Sequence, residues 1–428
     1  MKIKNFNNLA LTSTRKNLLE IIEAGLQAID TKNVLEQNVR IEGDQLFIQN
    51  HIFKIARETK ILVVGIGKCS FDAGLALENI LVDRIKGGIV LDVRGGNLKK
   101  IRSFIGTHPY PSDKNVEATE EIIKLLSNLK KDDLVIFIIS GGGSTLLCAP
   151  TNFEPEEETA LVKYLFKAGA DIEKINTIRK HISLVRGGNL AKAAYPARIV
   201  SVIFSDVPGD NLEFIASGPT VKDTTTLVQA EDLLKRYNVK EGCGFDGQLI
   251  ETPKESKYFE NAKNILLVTN KIALEAMAGK AKNLGLRTKI VTNQIMGEAK
   301  DVGRKIISDL EVAGEGAALF YGGETTVTAK GTGKGGRNQE LVLSVLRFVG
   351  DNQIMASIAS DGHDNTEFSG AICDKITRER MLKLNLDPEK YLEENNSFEF
   401  FSRVGDYILT GDTGSNVSDL IIAINEPR

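Results

Sequence analysis

The sequence predicts an α/β fold: a larger, Rossmann-like parallel-sheet domain at the N-terminus, with a second, smaller α/β domain after it. Two observations carry this. Short apolar runs, each ending in small or glycine-rich residues, alternate with helix-like stretches. The chain of 428 residues, 42% hydrophobic, also exceeds what one hydrophobic core usually serves.

An amphipathic helix is expected over residues 14–30, where Leu18, Leu19, Ile21, Ile22, Ala24 and Leu26 share one face. The runs ILVVGIG at 61–67, GGIVLDV at 87–93, LVIFIISGGG at 134–143 and ARIVSVIFSDV at 197–207 read as buried strands. Helix-like segments at 72–82, 116–129 and 155–168 lie between them, so functional loops are expected at the carboxyl ends of the strands. A polar stretch at 235–261 interrupts the pattern, which resumes at 264–270 and 287–293. Further strands at 317–328 and 354–362 flank a helix at 338–348. These features place the domains at 1–250 and 251–428, with a C-terminal strand at 419–424 free to return to the first sheet.

Charge and cysteine usage narrow the function classes. Lys and Arg number 54 against 57 Asp and Glu, which leaves no global field to attract nucleic acid or an anionic membrane. Cys69, Cys148, Cys243 and Cys373 are scattered without CxxC spacing, so buried free thiols are expected rather than zinc or a redox pair. No stretch has the apolar length of a membrane span, and a cytoplasmic enzyme is expected.

Five loops carry candidate chemistry. Gly65-Ile66-Gly67-Lys68 follows a strand and precedes a helix, so its amides and lysine suit an anion, although a plain turn has the same composition. Ser140-Gly141-Gly142-Gly143-Ser144-Thr145 offers an amide-lined nest for phosphate or carboxylate, or alternatively a capped turn. Ser205-Asp206-Val207-Pro208-Gly209-Asp210 supplies two carboxylates, with Asp206 at the strand end suited to Mg²⁺ or a hydroxyl proton and Asp210 equally suited to an Asx turn. Glu324, Lys334 and Arg337 lie among the glycines of GGETT and GTGKGGRNQE, where a guanidinium fits carboxylate and phosphate; Asn338 follows directly. Asp361, in SDGHD, is a metal candidate or a turn aspartate. HExxH, a Walker A loop and a nucleophile elbow are absent from the sequence.

Taken together, GIGKCS at 65–70, THPYPS at 107–112, SGGGSTLLCAP at 140–150, KHISLVRGGNLA at 180–191, SDVPGD at 205–210, ASGPT at 216–220, YGGETTV at 321–327, GGRNQE at 335–340 and TGSNVSDL at 413–420 closely resemble the class II glycerate kinases, the glycerate 2-kinase family with a MOFRL-type C-terminal part. The resemblance covers nearly the whole chain. It implies a two-domain enzyme with its active site in the cleft between the domains, which uses ATP and a divalent cation such as Mg²⁺ to convert D-glycerate to 2-phosphoglycerate. It implies catalytic roles for Lys68 and Arg337. One departure is that the family pattern DGxDGPT reads Asp361-Gly362-His363-Asp364-Asn365-Thr366 here, and another is that Cys69 and Ser70 follow the motif lysine.

The expected roles follow. Lys68, Arg337 and Asp206 act in catalysis; Gly67, Ser140, Gly141, Gly142, Gly143, Ser144, Glu324 and Asn338 bind substrate or phosphate; Asp206 and Asp361 hold the metal. Partners are the small molecules glycerate and ATP, with no nucleic acid or membrane, and a homodimer is among the allowed assemblies. Two rivals are an NAD(P)-dependent hydroxypyruvate reductase and a non-catalytic sugar-acid sensor. Against the reductase, Gly74 comes too late to complete GxGxxG.

Overall fold

The computed structural model describes residues 1–427. The chain forms two compact units. One comprises Val34–Ser205 and Asp210–Leu267; the other comprises Met1–Asn33, Asp206–Gly209 and the chain from Val268 onward.

In the first unit, a small antiparallel sheet of β1 (Val39–Glu42), β2 (Gln45–Ile48) and β3 (His51–Lys54) precedes a six-stranded sheet. The large sheet contains β4 (Ile61–Ile66), β5 (Ile85–Asp92), β6 (Ile101–Ile105), β7 (Leu134–Ile139), β8 (Arg198–Phe204) and β9 (Ala262–Val268), in the order β6-β5-β4-β7-β8-β9. Strands β4 and β7 are buried at every position, as their unbroken apolar sequences require. The pairings from β6 through β8 are parallel. Chain order runs outward from β4 on one side and from β7 on the other. The β4–β7 junction is therefore the switch point where open α/β sheets bind ligands. Its register sets Ile66 against Ile139, so the loops leaving these two strands begin side by side.

The helices expected at 72–82, 116–129 and 155–168 form as Ser70–Leu81, Asp113–Leu126 and Pro155–Lys167. The second begins early because Ser112 and Asn115 form a reciprocal capping box at its start.

The second unit holds β10 (Arg287–Ile295), β11 (Ala317–Gly323), β12 (Gln353–Ala359), β13 (Gly370–Cys373), β14 (Tyr407–Ile408) and β15 (Asp419–Asn425), in the order β10-β11-β15-β12-β13-β14. Only the β10–β11 pairing is parallel; the other four are antiparallel. The strand expected over 317–328 ends at Gly323, whose φ of 137° lies outside the range of L side chains and turns the chain away. Between β11 and β12, the helix expected at 338–348 forms as Arg337–Val345.

Three expectations are corrected. The domain boundary does not fall at 250, because β9 closes one edge of the parallel sheet, where the Ile199 amide donates to Asn261 O at 2.9 Å. The N-terminal segment belongs to the unit with the mixed sheet. Its helix Ser13–Ala28, started by Thr12 accepting from the Arg15 amide, packs on the helix Asn270–Asn283. The C-terminal strand does not join the first sheet: β15 occupies the centre of the mixed one, where its apolar residues are covered on both sides. The cysteines are free thiols as expected, buried at Cys69, Cys148 and Cys373 and half-buried at Cys243.

Candidate functional site

At the carboxyl ends of β4 and β7 the two glycine loops interlock. The Lys68 amide donates to Gly141 O at 3.0 Å, the Ser140 amide to Ile66 O at 2.9 Å, and the Cys69 amide to Ser140 Oγ at 3.3 Å. Gly67 has a φ of 116°, and a Cβ on it would stand 2.2 Å from Ser140 Oγ, so no other residue fits. Gly142 sits in the left-handed region at φ 79°, with the Lys68 stem across it: a Cβ there would meet Lys68 Cγ at 3.2 Å. Among the described residues, the amides of Gly141, Gly142 and Ser144 donate to no protein acceptor, and the Lys68 ammonium has no partner. Unspent amides beside an unpaired cation are an arrangement that can hold an anion.

Buried polar groups hold this turn from behind. Arg179 donates to Ser144 O at 2.7 Å and to Glu158 Oε1 at 3.0 Å, and Arg186 meets the same Glu158 oxygen at 2.8 Å. The two guanidiniums outweigh burial and keep the Glu158 carboxyl below its ordinary range. The ASGPT loop packs on the other side. Ser217 and Ser144 share a hydrogen bond of 2.9 Å, and a Cβ on Gly143 would be 2.6 Å from Ala216 Cβ. Ala216, Ser217 and Gly218 all have φ near 50–60°. Such a left-handed run costs about 1–3 kcal/mol per non-glycine residue and concentrates at functional sites. Arg179 was no candidate from sequence; its only signal was its place beside the KHISL motif.

The mixed-sheet unit holds a second constellation. Antiparallel pairing sets Asp419, the first residue of β15, opposite both Gly323 and Ala359, the last residues of β11 and β12. Arg337 Nε donates to Asp419 Oδ2 at 2.6 Å, Nη2 donates to Oδ1 at 3.0 Å, and Nη1 meets Glu324 Oε1 at 2.5 Å. The Arg337 side chain keeps 31% of its surface open, while that of Asp419 keeps 2%. Burial pushes the Asp419 carboxyl up to about 7 against the pull of Arg337 and Asn338. The two carboxylates outweigh burial in turn and hold the Arg337 pKa above its ordinary value.

Asn338 is 1% exposed, and its amide nitrogen donates to Asp364 Oδ1 at 3.1 Å and Asp419 Oδ1 at 2.9 Å. These bonds brace the Asp419 carboxylate. Glu324 is likewise engaged with the guanidinium. The buried Asp364 accepts from the amides of Asn338 at 3.1 Å and Gln339 at 2.8 Å, capping the helix Arg337–Val345 from a distant segment. Burial raises its pKa despite these bonds. The loop departure at Asn365 is tolerated because its φ of 54° is one that asparagine adopts readily.

Glycines let the Gly-rich loop lie close to its neighbours: a Cβ on Gly336 would be 2.1 Å from Asp364 O, and one on Gly335 would be 2.2 Å from Ser397 Oγ. A cavity of about 450 Å³ opens beside it, lined by Glu324, Gly331, Gly333, Gly336, Arg337 and Glu340. That size suits a small ligand. Lys334 points to the Phe398 ring, 4.3 Å from its centroid.

Asp206 and Asp361 both adjoin the loop before β15. Asn416 Nδ2 donates to Asp206 Oδ2 at 3.3 Å, and the Thr413 amide donates to Asp361 O at 3.1 Å. Asp361 Oδ1 also accepts from the His363 amide at 3.0 Å, the turn geometry allowed for it from sequence. Asp210, at φ 55°, closes the SDVPGD turn.

Comparison with known proteins agrees with the motif pattern. Residues 17–244 match a domain of unknown function, DUF4147, and residues 317–419 match the MOFRL family. The chain is 38% identical to the glycerate 2-kinase of Pyrococcus horikoshii, over 95% of this chain and 96% of that one. It is 37% identical to a protein of Agrobacterium vitis named putative hydroxypyruvate reductase, over 95% and 94%. The crystal structure of the Thermotoga maritima glycerate kinase superposes with a TM-score of 0.85 at 31% identity, covering 96% of this chain and 99% of that one. With both sequence regions matched and relatives aligned end to end, the chain belongs to the class II glycerate kinase family, the glycerate 2-kinases of MOFRL type.

Proposed function

We propose that this chain transfers the γ-phosphoryl group of ATP to the 2-hydroxyl of D-glycerate, giving 2-phosphoglycerate and ADP. Membership of the family over nearly the full chain carries the reading, and the two charge constellations suit the chemistry. Phosphoryl transfer needs positioning and charge neutralisation more than covalent catalysis. Lys68 and the amides of Gly141, Gly142 and Ser144 bind one anionic group, with Gly67, Ser140 and Gly143 shaping the turn. Arg337, aimed by Asp419, Asn338 and Glu324, neutralises another.

Asp206 and Asp361 supply the hard oxygen donors that Mg²⁺ prefers, and that ion commonly takes one or two carboxylates together with phosphate oxygens and water. When bound, it neutralises phosphate charge. A cytoplasmic location and a homodimer belong to the same proposal; among the described residues, no helix is long and apolar enough to cross a membrane.

The name borne by the Agrobacterium vitis relative favours one second reading, reduction of hydroxypyruvate. The first glycine loop argues against it, because Ser70 stands where the dinucleotide fingerprint has its third glycine and Gly67 is packed onto Ser140. An ADP-release assay with D-glycerate, ATP and Mg²⁺, with phosphorus NMR of the product, tests the proposal. 2-phosphoglycerate is expected; oxidation of NAD(P)H by hydroxypyruvate without ADP release would replace the reading.

A further inference from the structure

The anion turn has a neighbour to which the roles above give no task. The THPYPS motif is tied to the SGGGST loop by one buried side chain, Asn115. Its Nδ2 donates to Thr107 O at 3.1 Å, Thr145 O at 3.2 Å and Leu146 O at 3.3 Å, while its Oδ1 accepts from the Thr107 amide at 2.8 Å. Thr107 Oγ1 donates to Tyr110 O at 2.7 Å and Thr145 Oγ1 to Pro109 O at 3.4 Å. The residue fixed between these bonds is His108.

Its ring borders Gly142 together with Lys68. From the point where a Cβ on Gly142 would stand, His108 Cδ2 is 3.3 Å away and Lys68 Cε is also 3.3 Å away. Neither ring nitrogen has a hydrogen-bond partner among the described residues, and the residue is packed on one side while keeping part of its surface open to solvent. A histidine held by its backbone neighbours, over unspent amides and beside an unpaired lysine, has nothing structural to do with its nitrogens.

We infer that His108 accepts the proton of the glycerate 2-hydroxyl, an assignment that rests on the kinase reading above. As the hydroxyl oxygen attacks the γ-phosphorus, its O–H bond breaks and the proton passes to a ring nitrogen. The new O–P bond forms, the bond from phosphorus to the bridging oxygen breaks, and the electron pair leaves on ADP. The imidazolium then returns the proton to solvent.

The surroundings support an unprotonated ring. Loss of solvation, then the charges of Lys68 and Arg179, push its pKa down to about 4. Lys163, 4.2 Å from the centroid of the neighbouring Tyr110 ring, adds positive charge to the same loop. Anionic substrates offset these cations on binding and raise the basicity of the ring at the stage where a base is needed.

The test compares wild type with His108→Ala, His108→Asn and His108→Gln, each checked by thermal melting. Wild-type turnover of glycerate is measured first, since its absence would overturn the kinase reading itself. For His108→Ala, kcat should fall by about 10²–10⁴-fold with KM for ATP unchanged. Added imidazole should restore part of the rate. If His108→Ala does not fold, the Asn and Gln variants carry the test, because the acid limb of the kcat profile should vanish in both. Wild-type kcat in the variants, or a loss that imidazole does not relieve and that leaves the acid limb in place, would overturn the assignment while leaving the kinase reading standing.

Discussion

Arg337 meets Asp419 side-on, with Nε 2.6 Å from one carboxylate oxygen and Nη2 3.0 Å from the other, so the guanidinium plane has a single orientation. Asn338 fixes the carboxylate in turn. Asp419→Asn keeps the shape and removes the charge that aims Arg337. A fall in kcat of about 10–100-fold is expected, the range seen when the orienting partner of a functional group is lost. Arg337→Ala should cost about 10²–10⁴-fold. Steady-state kinetics on both variants checks the order, and equal losses would show that Asp419 does more than orient.

The same carboxyl makes a thermal prediction. Its ordinary value is 3.8, and burial raises it to about 7 in the folded chain. Between these values the folded state holds a proton that the unfolded state has released, so stability falls as pH rises. The contribution is complete at pH below 3.8 and is lost as pH passes about 7. The Tm of wild type minus that of Asp419→Asn should therefore shrink from pH 4 to pH 7, and a constant difference would count against a raised Asp419 pKa.

Lys68→Ala should lower the rate by about 10²–10⁴-fold with an unchanged melting temperature, because the ammonium holds no protein partner. Gly67→Ala should do the reverse and act on stability first. Its Cβ would collide with Ser140 Oγ at 2.2 Å at a φ of 116°, a strain of about 1–3 kcal/mol or more. Melting curves of the pair separate the two effects.

The parallel sheet was legible because apolar runs such as ILVV and LVIFII are short, rich in β-branched residues and followed by glycines, which together mark buried strands ending in tight turns. Lys68, the 140–145 loop and Arg337 could be named for the same reason. Glu324 and Asn338 could be located, but not understood: their tasks depend on Asp419, which comes 81 residues after Asn338 and meets it only once β15 inserts between β11 and β12. The domain boundary failed similarly. Local pattern cannot say that the N-terminal helix packs with the C-terminal half, since its partners, the helix Asn270–Asn283 and the aspartates that meet Arg15, all come far later in the chain.

That contact supports the last prediction. Arg15 is fully buried, with Nη1 2.6 Å from Asp406 and Nη2 2.7 Å from Asp374. Hydrogen bonds and charge from these partners outweigh burial in raising its pKa, and Asp374 is held below its ordinary range by the same pairing. Removing the arginine alone strips the buried Asp374 of its cation and leaves Asp406 with Arg380 alone, 2.7 Å away, and breaking a buried pair from one side costs about 3–5 kcal/mol in comparable sites. Arg15→Met should therefore lower Tm strongly. Adding Asp374→Asn and Asp406→Asn should recover part of the loss, because replacing buried charges together is often nearly neutral and Arg380, the other partner of Asp406, is partly exposed and can turn to solvent. If the triple variant melts no higher than the single one, the arginine stabilises through packing of its stem, and charge pairing is not what ties the N-terminal helix to its unit.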